Sequence, residues 1–230
     1  MTALNVRLVE PLAPHRARIA GCADRQSVPF IESTWRRWLH VGNIDRDVVE
    51  HLFTSIGPGL IAREQLRKMA LQTATTDDRL ALLVAVLVWG RGKSNARMRD
   101  AILKTLTHDG RDEVLANTAE LAQAGRVAEA YQAWQLPGLQ AAFFTKWLWA
   151  ATASAPDSCC LVLDLLVWKS LRTFGWNSRE AAGGNRSRAL RYAAYVEDVH
   201  VCATQLDVRA EDIECALFRM KGNPERLETL

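Results

Sequence analysis

One lysine and one aspartate stand out because they lie in otherwise apolar runs of the sequence. Lys146 belongs to the run AAFFTKWLWAAT, and Asp164 ends the run CCLVLD. Desolvation disfavours the charged form of each side chain unless that side chain is paired or used in a reaction. An amine in such surroundings can act as a nucleophile, and a carboxylate can stabilise a positive charge that develops beside it. The alternative is a buried Lys–Asp ion pair that joins two helices.

Turns and helices must position these two residues. Leu136-Pro137-Gly138 predicts a hairpin before the helix that carries Lys146, and Pro156-Asp157-Ser158 predicts a break after it. Apolar residues recur at helical spacing along the chain and no segment shows strand-like alternation, so the predicted class is all-α. Residues 1–28 lack a sustained period and are expected to form an extended N-terminal arm. Other helices are predicted at about 30–39, 45–53, 60–72, 79–89, 96–107, 111–123, 127–135, 165–173, 186–205 and 210–220.

Composition and charge exclude several classes of protein. The 230 residues are 49% hydrophobic and 24% charged, which is typical of a globular protein and not of a disordered chain. The longest apolar run, Leu80 to Trp89, has about half the length of a bilayer span, so no membrane association is expected. The five cysteines and five histidines show no metal-ligand spacing, and no metal is predicted. The odd cysteine count, without a signal peptide, favours reduced thiols and a cytoplasmic location.

Local charge is more informative than the net charge of +3. The turn 90–95 contains two glycines and two cations before a predicted helix, an arrangement that can hold a phosphate; a plain interhelical loop is the alternative. Between Lys169 and Arg191, six cations accompany a single acid, Glu180. Such a run can follow the phosphates of a nucleic acid, although a solvated charged face is the more common outcome.

The stretch from the hairpin to Asp164 resembles the helix-hairpin-helix DNA glycosylases, particularly the 8-oxoguanine glycosylase branch. In that family an LPG hairpin precedes a Thr-Lys pair, here Thr145-Lys146, and a catalytic aspartate follows in the position of Asp164. Segment 82–103 is similar to the family's helix, lesion-probing loop and helix. The C-terminal segment is similar to a compact bacterial subgroup, some members of which are implicated in defence against phages with modified DNA bases. Gln140 stands where the family has a second hairpin glycine.

The resemblance implies a helix-hairpin-helix glycosylase-like fold with two helical lobes around a cleft. It implies a single domain over 29–230, with lobes at about 75–135 and 136–220 and residues 29–74 packed on them. Lys146 would attack the sugar C1′, and Asp164 would stabilise the charge that develops as the base leaves. The residues expected to contact DNA or to fill the gap left by a flipped base are Gly138, Leu139, Gln140, Arg91, Lys93, Ser94, Asn95, Arg186 and Arg188, and those expected to line the base pocket are Trp147, Trp149, Tyr192 and Tyr195.

The leading hypothesis is therefore a monomeric DNA glycosylase that needs no cofactor and excises a base from double-stranded DNA, with an AP-lyase activity left open. Its substrate would be an oxidised guanine or, in an anti-phage role, a bulky modified cytosine such as glucosylated hydroxymethylcytosine. The alternatives are a non-catalytic helical DNA-binding or defence adaptor and a helical scaffold for protein interactions.

Overall fold

The computed structural model describes residues 3–91, 98–153 and 160–230, with side chains described from residue 7 onward. This part of the chain is helical apart from loops and one small sheet, which confirms the predicted all-α class. The α-helices are α1 (Ala3–Leu12), α2 (Arg16–Ile19), α3 (Glu32–Val41), α4 (Arg46–Ile56), α5 (Arg63–Ala70), α6 (Thr76–Arg91), α7 (Arg99–Leu106), α8 (Arg111–Gln123), α9 (Val127–Ala133), α10 (Ala141–Thr152), α11 (Leu165–Thr173), α12 (Ser178–Ala181), α13 (Arg188–Leu206) and α14 (Ala210–Met220).

The chain forms two compact units. The continuous unit is Ser27–Cys160, and the split unit combines Met1–Gln26 with Leu161–Leu230. These bounds differ from the lobes expected at about 75–135 and 136–220. The single domain over 29–230 and its cleft stay predictions.

Helix α6 is the central helix of the continuous unit. Every side chain from Leu80 to Trp89 is buried, and α4, α5, α8 and α10 all pack against this helix. Its start is set by a reciprocal pair of hydrogen bonds: the Thr75 N–H donates to Asp78 Oδ2 (3.0 Å), and the Asp78 N–H donates to Thr75 Oγ1 (3.1 Å). A helix buried on all sides must lie in the core, so α6 provides a rigid support for the neighbouring α10.

Two short strands correct the expectation that the chain contains none. Strand β1 (Ser27–Pro29) pairs antiparallel with β2 (Leu60–Ala62), with Val28 opposite Ile61. Three residues are too few for an alternating pattern to be recognised, and the partner strand lies more than thirty residues along the chain. The helix predicted from residue 60 therefore begins only at Arg63.

The extended conformation expected for residues 1–28 is also wrong. Helices α1 and α2, with the 3₁₀ turn Ala13–His15 between them, occupy residues 3–19 of this segment. Leu8, Leu12 and Ile19 are fully buried, and α1 packs against α13 while α2 packs against α14. The N-terminal segment is thus an integral part of the split unit. Among the described residues, no helix combines the length and apolar character that crossing a membrane requires.

Candidate active site

The LPG turn forms a tight connection between α9 and α10. Gly138 has φ +95°, and a Cβ at this position would lie 2.0 Å from the carbonyl oxygen of Ala101 in α7. Thr105, also in α7, donates a hydrogen bond from Oγ1 to the Pro137 carbonyl (2.5 Å). Only glycine fits both the backbone conformation and the close approach. The hairpin is therefore held against α7 by its own backbone.

The two residues after Gly138 have different environments. Leu139 is buried, so its side chain contributes to the core. Gln140 is exposed and is the N-cap of α10, where its carbonyl accepts hydrogen bonds from the N–H groups of Phe143 (2.8 Å) and Phe144 (3.1 Å). The α10 N-terminus thus follows directly on the hairpin, a position that favours an anion.

Lys146 is buried on α10, with 8% of its surface exposed. Its Nζ donates to the carbonyl of Ala142 one turn earlier (2.7 Å) and lies 5.4 Å from the centroid of the Phe143 ring. The side chain passes close to Gly90 of α6: a Cβ on Gly90 would lie 3.0 Å from Lys146 Cδ and 3.4 Å from its Cε. The glycine therefore makes room for the aliphatic part of the lysine.

Asp164 is the N-cap of α11, in the split unit. Its Oδ1 accepts hydrogen bonds from the backbone N–H groups of Leu166 (2.9 Å) and Val167 (3.1 Å). The helix N-terminus favours a negative charge at this position. A carboxylate fixed by two backbone donors can act on a nearby cation without first having to become ordered. Lys146 belongs to the continuous unit and Asp164 to the split unit.

Two tyrosines hold the segment that precedes Asp164. The hydroxyl of Tyr192 donates to the carbonyl of Leu161 (2.7 Å), and that of Tyr195 donates to the carbonyl of Val162 (2.8 Å). Both tyrosines are buried on α13. These contacts connect α13 to the backbone two and three residues before the aspartate. The base-pocket role of both tyrosines stays a prediction, and the contacts point to positioning of Asp164.

The two tryptophans of α10 are fully buried in the continuous unit. Trp147 donates from Nε1 to Thr118 Oγ1 (2.9 Å). Trp149 stacks on Trp89, with ring centroids 5.5 Å apart, and the guanidinium carbon of Arg63 lies 4.6 Å from the Trp149 ring. Lining of a base pocket by Trp147 and Trp149 stays a prediction.

The cations predicted to contact DNA fall into two groups. Arg91 ends α6, where its guanidinium carbon is 6.0 Å from the Phe143 ring and burial lowers the pKa of its guanidinium below the usual value. Arg186 and Arg188 are exposed at the start of α13, on either side of the N-cap Ser187. Lys93, Ser94 and Asn95 lie outside the described residues. DNA contact by these residues stays a prediction.

The structure adds residues that the sequence interpretation missed. Arg63 is fully buried beside Trp89 and Trp149, Phe143 lies beside Lys146, and Gly90 faces the same lysine. The sequence predicts Gly90 in the turn 90–95, whereas the structure places it in the last turn of α6, which ends at Arg91. Arg63 had no detectable signal in the sequence, because its neighbours come from two distant helices. Within the described residues no group of three or more His, Cys, Asp or Glu side chains is placed to hold a metal ion.

Comparison with known protein families gives a match that covers most of the chain. The model of a family described as "Putative 8-oxoguanine DNA glycosylase OGG-like protein" matches residues 21–218. This range includes the hairpin, Lys146 and Asp164. No curated protein matches the chain, and no solved structure matches it.

Proposed function

The chain belongs to the OGG-like 8-oxoguanine DNA glycosylase family, and from this premise we propose that it excises an oxidised guanine from double-stranded DNA, with Lys146 as nucleophile. The family supports a DNA glycosylase-type activity and DNA as the partner. The observation that carries the assignment to residues is the buried Lys146 on α10, the helix that follows the Leu136-Pro137-Gly138 hairpin.

Lys146 supplies the attacking amine. Its Nζ forms a bond to C1′ of the deoxyribose as the bond from C1′ to the base breaks, and the electron pair of that bond leaves with the base, which takes up a proton. The nitrogen loses a proton and the sugar ring opens to give a Schiff base. Nζ has the Ala142 carbonyl as a hydrogen-bond acceptor at 2.7 Å, which orients the amine before the reaction.

Asp164 stabilises the positive charge that develops on the sugar as the base leaves. Its two backbone hydrogen bonds, at 2.9 and 3.1 Å, hold the carboxylate in one orientation. A preorganised carboxylate lowers the barrier because no reorganisation is needed when the charge appears. A lyase step through the same Schiff base forms the second part of the proposal: loss of a C2′ proton expels the 3′ phosphate and cuts the strand.

The experiment is borohydride trapping, which reduces a Schiff base to a stable amine that joins protein and DNA. Wild type, Lys146→Gln and Asp164→Asn are incubated with duplexes that contain 8-oxoguanine, and Lys104→Gln is the matched control because Lys104 is exposed on α7. We expect an adduct with wild type and Lys104→Gln, a slower one with Asp164→Asn and none with Lys146→Gln.

Other outcomes separate the alternatives. An adduct formed only on phage DNA with glucosylated hydroxymethylcytosine would support the glycosylase activity but show that the substrate is this modified cytosine and not oxidised guanine. Binding to duplex DNA without base release from any of these substrates would identify a non-catalytic adaptor. Absence of salt-dependent binding to DNA would leave a protein-interaction scaffold.

A further inference from the structure

A cavity of about 260 Å³ lies in the split unit, between the C-terminal end of α11 and α13. Its lining includes Trp168, Arg172, Trp176, Ser178 and Arg191. Asp164 caps the opposite end of α11, so this cavity is separate from the site proposed for base release. Its volume is just below that of pockets for drug-sized molecules and suits a smaller group, such as a phosphate with its sugar.

The lining of the cavity includes cationic side chains and no acidic one. Arg172 and Arg191 are the ionisable residues in its lining. Within the described residues, neither arginine forms an ion pair with a carboxylate, whereas Arg7, Arg16, Arg36, Arg126 and Arg209 all do. The nearby acid Glu180 is bonded to Arg7 (3.4 Å). An anion in the cavity would therefore meet two guanidinium groups.

Arg191 is fixed in place before any ligand binds. Its Nε donates to Ser178 Oγ (2.7 Å), and its guanidinium carbon lies 5.7 Å from the Trp168 ring centroid. Trp168 is in turn edge-on to Trp176, with centroids 5.9 Å apart. An arginine has five N–H donors, so the bond to Ser178 leaves four for a ligand. A guanidinium held in this way loses little conformational entropy when it binds a phosphate bidentately.

The residues near the cavity favour binding of a polyanion over binding of a small phosphate compound. Four further exposed cations lie between the lining residues in the sequence: Lys169, Arg179, Arg186 and Arg188. Several exposed cations close in sequence to two available guanidinium groups suit the closely spaced charges of a nucleic acid backbone. We propose that the cavity between Trp168, Arg172 and Arg191 binds a backbone phosphate of duplex DNA, away from the reacting nucleotide; this rests on the proposed function.

The test measures how binding to an undamaged duplex depends on salt. Fluorescence anisotropy with a labelled duplex, repeated at several KCl concentrations, gives the slope of log K against log[KCl] for wild type, Arg172→Gln, Arg191→Gln and the double variant. Arg126→Gln is the matched control, because Arg126 is exposed on the continuous unit and paired with Glu129. Each phosphate contact contributes about 0.9 to the slope, so the double variant should have a slope shallower by about 0.9 and a several-fold weaker affinity. Arg126→Gln should match wild type.

Arg172→Gln keeps the test valid if Arg191 variants fold poorly, because Arg172 is exposed. An unchanged salt slope in Arg172→Gln would overturn the phosphate site. Duplex binding and base release by the wild type would still support the proposed glycosylase function. A second measurement is the quenching of tryptophan fluorescence by inorganic phosphate or deoxyadenosine monophosphate. If the variants lose this quenching but keep the salt slope for duplex DNA, the cavity is a site for small anions and the proposed DNA contact is overturned. Failure of wild type to bind any duplex would overturn the proposed function together with the site.

Discussion

The hydroxyl of Tyr195 donates a hydrogen bond to the carbonyl of Val162, 2.8 Å away and two residues before Asp164. Tyr192 makes the equivalent bond one residue earlier, to Leu161 (2.7 Å). Both tyrosines are on α13, and Asp164 begins α11. The position of the candidate carboxylate therefore depends on contacts made by a helix later in the chain.

We expect Tyr195→Phe to slow base release about tenfold while duplex affinity is retained. The change leaves the Val162 carbonyl without its donor, which costs about 1–3 kcal/mol and loosens the backbone before Asp164. Single-turnover kinetics well below the unfolding temperature measure the effect. Tyr131→Phe is the control, because Tyr131 lies in the continuous unit on α9.

A second variant pair distinguishes positioning from a general loss of stability. If Tyr195 acts through Asp164, Tyr195→Phe should have little further effect when Asp164→Asn is already present. Equal losses in the two backgrounds would show that Tyr195 does not act through the aspartate.

Gly90→Ala should slow the reaction without reducing the stability of the fold. Alanine favours the helical conformation by about 1 kcal/mol relative to glycine. The new Cβ would lie 3.0 Å from Lys146 Cδ and 3.4 Å from Phe143 Cε1, so the lysine must shift by a few tenths of an ångström. We expect little or no loss in the free energy of unfolding but several-fold slower borohydride trapping. In Gly110→Ala the Cβ meets His108 at an ordinary 3.5 Å, and an equal loss of trapping there would contradict this explanation.

Gly138→Ala should be among the most destabilising substitutions in the continuous unit. The added Cβ meets the Ala101 carbonyl oxygen at 2.0 Å, and the φ of +95° is itself unfavourable for alanine. We expect a loss of about 3 kcal/mol or more in urea unfolding, because helix α7 and the hairpin must separate. At Gly125, with φ +72° and no atom within 4 Å, alanine should cost only about 1–2 kcal/mol. Similar losses at the two glycines would show that the close approach to α7 is unimportant.

The buried carboxyl of Asp198 should make the free energy of unfolding depend on pH. Burial raises the pKa of this carboxyl above its ordinary 3.8, an effect that the hydrogen bond from Trp176 Nε1 (2.8 Å) opposes. With a raised folded-state pKa, the contribution of Asp198 to stability is fully present below pH 3.8 and is lost as pH rises through the folded-state pKa.

Asp198→Asn can still accept the bond from Trp176 and should therefore be more stable than wild type at pH 7, with the difference shrinking toward acid pH. Urea unfolding from pH 4 to 8 measures this, with the exposed Asp109→Asn as control; a difference that does not vary with pH would contradict the assignment.

Local signals in the sequence determined most of the helices. The predicted ranges 111–123, 165–173 and 210–220 coincide with α8, α11 and α14. Periodicity, turn residues and caps are properties of adjacent residues, so they can be recognised without knowing the fold. The LPG hairpin and the apolar surroundings of Lys146 were recognisable for the same reason. The family match then supported the glycosylase interpretation that these residues suggested.

Tertiary structure decided what depends on distant parts of the chain. The β1–β2 pair joins residues 27–29 to 60–62, and α1 gains its stability from packing on α13 near the other end of the chain. The same holds for the site: Gly90 makes room for Lys146 from another helix, and Tyr192 and Tyr195 bind carbonyls about thirty residues earlier. A residue's type and local spacing can indicate chemistry, but burial and hydrogen-bond partners arise only when separate helices pack together.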